Sequence, residues 1–148
     1  MSTVKELLNK LKGVNINSLT KLVIKENEKE IIQVNQQELS QGRNFLGQSV
    51  GLYSKTTELL SKDTNPRRPK KAGQPYNFED TGDLFDGMFL KLTGVKLKID
   101  SKGKGDQDKK LFISQNELLG FDDKSEEIIN YEIIKPDLQK KFKNITKL

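Results

Sequence analysis

The sequence predicts an α+β fold: N-terminal helices, a small antiparallel sheet built on a hairpin at about residues 87–100, and a C-terminal helix. Three observations carry this. Apolar residues recur at helical spacing over residues 4–40. They alternate with polar or wet-facing residues from Met88 to Ile99 around a central glycine. They return to helical spacing after Asp122. At 148 residues the chain fits one domain, 1–148. A chain of that size buries roughly 68–70% of its unfolded surface and needs neither metal nor disulfide to hold a core.

Val4, Leu7, Leu8 and Leu11 make the first helix, ended by Gly13. A longer helix is expected from about Ile16 to Ser40, with Ile16, Leu19, Val23, Ile31 and Val34 as its stripe. Asn17 or Ser18 would cap it and Gly42 would close it. From Arg43 to Tyr76 the periodicity fails among glycines and prolines, so this span reads as a long loop with a short helix at Lys55 to Leu60.

The hairpin is the sharpest local signal. A Thr93-Gly94 turn would pair Leu92 with Val95, Leu90 with Leu97 and Met88 with Ile99, and set Lys91 opposite Lys96 on the wet face. Ser101 to Lys110 reads as a charged, glycine-rich loop, and Lys110 to Ser114 as a third strand or a helix start. In the C-terminal helix Asp122, Asp123 or Ser125 would cap. Ile128, Tyr131 and Ile134 would form one face, continued by Leu138, Phe142, Ile145 and Leu148, with a kink or break at Pro136.

Composition narrows the chemistry. The chain has no Cys and no His. This excludes disulfides and thiol chemistry and removes the commonest general base and metal ligand. No enzyme activity, cofactor or metal is expected. Apolar residues make up 33% and charged residues 32%, which suits a thin core whose surface partners complete. The formal net charge is +5, spread through a mixed surface. Neither a membrane span nor a secretory h-region is expected, so the chain should be made in a cytoplasm.

Four stretches could carry function. Asp80, Thr81, Gly82, Asp83 and Asp86 form the densest acidic run. Their spacing does not match a calcium loop, and the favoured reading is a structural turn leading into the hairpin. A hydrolase using Asp80, Asp83 or Asp86 is a remote third choice. Asp100 to Asp106 lacks the spacing of a phosphate loop and reads as a flexible loop. Arg67, Arg68, Lys70 and Lys71 form a basic, proline-flanked segment, with Tyr76 and Phe78 near enough in sequence to stack on bases. A solvated or partner-binding loop accounts for that segment better. Leu52 and Tyr53 lie in a stretch rich in glycine and apolar residues that forms either a contact surface or, with Leu46, Val50 and Leu52 tucked under the sheet, a satellite core.

Three segments in order carry a resemblance. They are Gly51-Leu52-Tyr53-Ser54, then Tyr76-Asn77-Phe78-Glu79-Asp80-Thr81-Gly82-Asp83-Leu84-Phe85 before the hairpin, then Leu119-Gly120-Phe121 before the C-terminal helix. The arrangement resembles small structural proteins of tailed phages and prophages of the Bacteroidetes group. More distantly it is similar to tail-completion and neck (head–tail connector) proteins. The resemblance covers about two thirds of the chain. It implies a virion protein, assembled in the bacterial cytoplasm, that multimerises as a ring and joins head to tail or completes the tail. Its implied partners are other copies of itself and the portal, connector and tail proteins. It implies no catalytic residue, and a structural turn at Asp80, Thr81, Gly82 and Asp83. The Arg43 to Tyr76 segment is then expected to supply one side of the contact. The alternative is a basic nucleic-acid-binding accessory protein, with non-specific DNA contact through the basic segment.

Overall fold

The structure, a computed structural model, describes residues 4–79, 81–94, 96–103 and 118–147. It is mixed α and β, as the sequence predicts. In order, the elements are α1 (Val4–Lys12), α2 (Ile16–Glu26), α3 (Glu28–Ser40), α4 (Lys55–Thr64), α5 (Asp83–Asp86), β1 (Met88–Thr93), β2 (Lys96–Ser101) and α6 (Asp123–Ile128). A π-helical segment (Ile129–Ile134) and α7 (Lys135–Thr146) follow. The expected third strand or helix start at Lys110 to Ser114 lies outside the described residues, as do Val95, Leu148 and most of the Ser101 to Lys110 loop. The chain divides into two compact units, Met1–Ile31 with Glu126–Leu148, and Ile32–Ser125.

The long helix expected over residues 16–40 is two helices. Asn15, not Asn17 or Ser18, caps α2: its Oδ1 accepts from the Ser18 N–H at 3.1 Å. The break falls at Asn27, whose Nδ2 donates to the Val23 carbonyl at 2.9 Å and to Asp137 Oδ2 at 2.8 Å. The Asn27 backbone N–H also reaches the Val23 carbonyl, at 3.0 Å, so main chain and side chain together cap the end of α2. Gly42 closes α3 as expected. It sits at φ +72, and the Arg43 N–H returns to the Glu38 carbonyl at 3.0 Å.

In the first unit α2 packs on the π segment and α7, and α1 on α7. Leu19, Val23, Ile31, Ile129 and Thr146 are buried there. The Glu26 carboxylate meets Lys141 Nζ at 2.6 Å. Pro136 neither breaks the helix nor stops it. Helical structure runs from Asp123 to Thr146, and the Lys135 N–H bonds to the Asn130 carbonyl five residues back. Pro has no N–H and its ring would strike the carbonyl four residues earlier, so the wider π turn just before it accommodates both. The inward line is correspondingly Ile129, Ile134, Leu138, Phe142 and Thr146, one step of five and then steps of four. Tyr131 and Ile145, expected on that face, are exposed.

The second unit's core gathers Ile32 and Leu39 of α3, Phe78, Leu84 of α5, Met88 and Ile99 of the hairpin, and Leu118 and Leu119. The hairpin is antiparallel with its apolar face as predicted, but the register is corrected. Leu92 pairs with Leu97, Leu90 with Ile99, Met88 with Ser101, and Lys91 faces Lys98 rather than Lys96. The slip is two residues, so every side chain keeps its face. The turn explains it. A Thr93-Gly94 loop would put β-branched Thr93 where primed turns demand positive φ, whereas the observed loop begins at Gly94, at φ +62.

Candidate interaction surface

The Arg43 to Tyr76 segment belongs to the second unit and is pinned along its length. Backbone bonds tie Val50 to Gly42, Tyr76 to Gly51 and Tyr53 to Gln74, and isolated bridges join Arg43 with Ser49 and Leu52 with Pro75. Its helix, α4, extends past the expected Leu60 to Thr64 and is capped by Ser54, whose Oγ accepts from the Thr57 N–H at 3.1 Å.

The orientation of α4 is the inverse of an ordinary surface helix. Ser54, Thr57, Glu58 and Ser61 recur at three- and four-residue spacing; Ser54 and Thr57 close the N-cap, and Glu58 and Ser61 fasten the helix down. Glu58 Oε2 accepts from the Ala72 N–H at 2.9 Å. Ser61 Oγ accepts from the Lys70 N–H at 2.8 Å and donates to the Glu58 carbonyl at 3.0 Å. Ser61 is buried. The opposite face carries Leu59 and Leu60, 66% and 58% exposed. Polar side chains thus make the attachment and leucines meet the solvent. The sequence reading missed these leucines. The signal was the pair Glu58 and Ser61, three residues apart on one side, which put the helix's attachment on its hydrophilic side.

The other singled-out residues divide. Leu52 is exposed, and so is Leu46, while Val50 packs against the core. Tyr53 turns inward: its OH donates to Asn77 Oδ1 at 2.9 Å, and its ring meets Tyr76 edge-on at 4.8 Å. Arg67, Arg68 and Lys71 are exposed. Lys70 corrects the expected basic surface: it is only 8% exposed, and its Nζ donates to Asn77 Oδ1 at 3.0 Å and to the Glu79 carbonyl at 2.9 Å. The proposed stacking aromatics are not displayed either, since Tyr76 is half-buried and Phe78 buried.

Of the expected turn, Asp80 lies outside the described residues. Thr81 Oγ1 donates to Asp83 Oδ1 at 2.6 Å, Gly82 takes φ +91, and α5 follows directly into β1. Among the described residues no group of three acidic side chains is placed to hold a metal ion. No helix among them is long and apolar enough to cross a membrane.

A second polar cluster lies in the core beside α3. Asn35 Nδ2 donates to the Gly120 carbonyl at 2.7 Å, while Asn35 Oδ1 and Glu38 Oε2 are buried without a hydrogen-bond partner among the described residues. Burial raises the Glu38 carboxyl above its usual range, against a hydrogen bond from Ser125. The Ser125 backbone N–H, 2.7 Å from Asp122 Oδ1, holds the Asp122 carboxyl below its usual range. Comparison with protein-family models, with curated proteins and with solved structures returns no match.

Proposed function

We propose that the chain is a non-enzymatic structural subunit of a tailed-phage virion, placed in the neck or tail, where it assembles as a ring and joins head to tail or completes the tail. The observation that carries this reading is α4, fastened by polar side chains and presenting Leu59 and Leu60 outward. A monomer gains nothing from that arrangement, because apolar surface left in water forgoes roughly 25 cal/mol per Å². A subunit that meets neighbours recovers it on assembly. The resemblance of the Gly51, Tyr76 and Leu119 segments supplies the virion context.

The alternative, a basic nucleic-acid-binding protein, is weakened because Lys70, Tyr76 and Phe78 face inward. Of the basic segment, Arg67, Arg68 and Lys71 remain exposed as phosphate contacts.

Mass spectrometry of purified particles, with copy number taken against the portal protein, tests the reading. A fixed, small ratio to the portal supports it, and absence from intact particles overturns it. Deleting Pro66 to Lys71 is a poor test of the contact, since it also removes the buried Lys70.

A further inference from the structure

We propose that Lys70 and Asn77 join covalently after folding, the Lys70 amine displacing ammonia from the Asn77 side-chain amide to leave an isopeptide bond across residues 70–77. The two groups already meet. Lys70 is 8% exposed, and its Nζ lies 3.0 Å from Asn77 Oδ1, one carbonyl bond away from the Cγ that it would attack. The lysine's main chain is held as well, since its N–H donates to Ser61 Oγ at 2.8 Å. Seven positions separate the pair, so little loop entropy opposes the encounter. Holding amine and amide side by side replaces a bimolecular step with an intramolecular one.

The surroundings of Asn77 Oδ1 exceed what a buried ammonium requires. A lysine kept for its charge alone asks for acceptors. Here two further donors reach the same oxygen, the Tyr53 hydroxyl at 2.9 Å and the Glu79 N–H at 3.2 Å. The Tyr53 oxygen accepts from the Asn77 N–H at 3.2 Å, which turns the hydroxyl proton toward Oδ1. The Glu79 N–H reaches back to Oδ1 across Phe78, a buried residue at φ +54. Strain of that kind persists only where neighbours enforce it, and it clusters at functional sites. Two fixed donors on a carbonyl oxygen polarise it and stabilise the negative charge that develops there under attack.

In the reaction Nζ, after giving up one proton, adds to Asn77 Cγ while the carbonyl electron pair moves onto Oδ1. That pair returns, and the Cγ–Nδ2 bond breaks with its electrons on Nδ2. Two of the Lys70 ammonium's protons end on the departing nitrogen, so ammonium leaves and charge is conserved. Neither an oxidant, a reductant nor a further reactant enters. Each chain reacts once, without turnover, and the event is independent of the virion reading.

Intact-mass spectrometry of the full chain, purified and then incubated at neutral pH, tests this. The mass should fall by one ammonia, and a tryptic digest should contain residues 68–71 joined to residues 72–91 through Lys70 and Asn77. Lys70→Arg, which keeps the positive charge without the primary amine, and Asn77→Ala should both retain the full mass. Tyr53→Phe should slow the loss at least about tenfold, as removal of an oxyanion donor does. A parent chain that is folded by circular dichroism and still of full mass overturns the proposal. So does ammonia lost without the linked peptides, which would assign the loss to cyclisation or deamidation of an asparagine alone. Linkage through Lys71, a chain cut after Glu79, or an unchanged rate in Tyr53→Phe also overturns it.

Discussion

The Lys70 ammonium lies 3.0 Å from Asn77 Oδ1, an oxygen that also accepts from the Tyr53 hydroxyl and the Glu79 N–H. One amide oxygen thus gathers three donors, and the residues between Tyr53 and Glu79 are drawn together around it. Phe78, next in sequence, is buried at φ +54, a left-handed conformation that costs roughly 1–3 kcal/mol for a side chain of this kind and persists only where neighbours enforce it.

Replacing Asn77 with Ala should therefore destabilise the second unit by roughly 2–3 kcal/mol, because a buried cation loses an acceptor. Lys71→Ala, one position along from Lys70 but exposed, should change stability by under about 0.5 kcal/mol. Urea denaturation of the two variants measures the contrast. Equal effects would mean the basic segment acts as one solvated patch.

Glu38 and Asp122 should answer pH in opposite senses. Glu38 is raised above 4.5, first by burial and further by the Asp122 charge, against Ser125, Arg43 and Lys124. The folded state thus holds the Glu38 proton more tightly than the unfolded chain does. That contribution is complete below 4.5 and is lost as pH rises through the raised value. Asp122 is lowered from 3.8, so its contribution is complete above 3.8 and is lost as pH falls through the lowered value. In thermal melts, Glu38→Gln should flatten the decline on the alkaline side and raise Tm at neutral pH. Asp122→Asn should flatten the acid side. A Glu38→Gln profile identical to the parent would refute the burial argument.

Gly42 and Gly73 both sit at positive φ, +72 and +80. A Cβ on Gly42 would also come within 2.5 Å of Pro75 Cβ and 2.8 Å of the Tyr76 carbonyl oxygen, whereas Gly73 faces open space. Gly73→Ala should cost about 1–2 kcal/mol, the left-handed penalty alone. Gly42→Ala should cost several kcal/mol more or prevent folding, as solubility and denaturation will show.

Across the hairpin Lys91 faces Lys98 on the exposed side. Like charges directly opposite destabilise a pair, and Lys91→Glu should gain roughly 0.2–1 kcal/mol. The gain should shrink in high salt. A loss of stability at low salt would contradict the observed register.

The faces of the elements were legible in the sequence because period and burial report each other. The alternation from Met88 to Ile99 identified the buried side even though the register was two residues off, since both registers preserve parity. What stayed hidden was long-range. Asn27 looks like any polar residue in a charged run, yet it stands at the junction of two helices with its amide bonded to the Val23 carbonyl and to Asp137. Lys70 sits in a run of four cations, and only the placement of Asn77 and the Glu79 carbonyl turns it inward. In α4 the usual inference from leucine to interior failed, because backbone groups at Lys70 and Ala72 claimed the polar side first.

The π segment at Ile129–Ile134 makes the helix after it out of phase with the helix before it. It behaves as a single inserted residue absorbed without a loop. Removing one residue from that segment should restore uniform pitch and swing Leu138, Phe142 and Thr146 around the axis by about 100°, one residue's worth of rotation. The direction in which the last helix points its side chains is thus set by a residue count upstream of it, independently of its own composition.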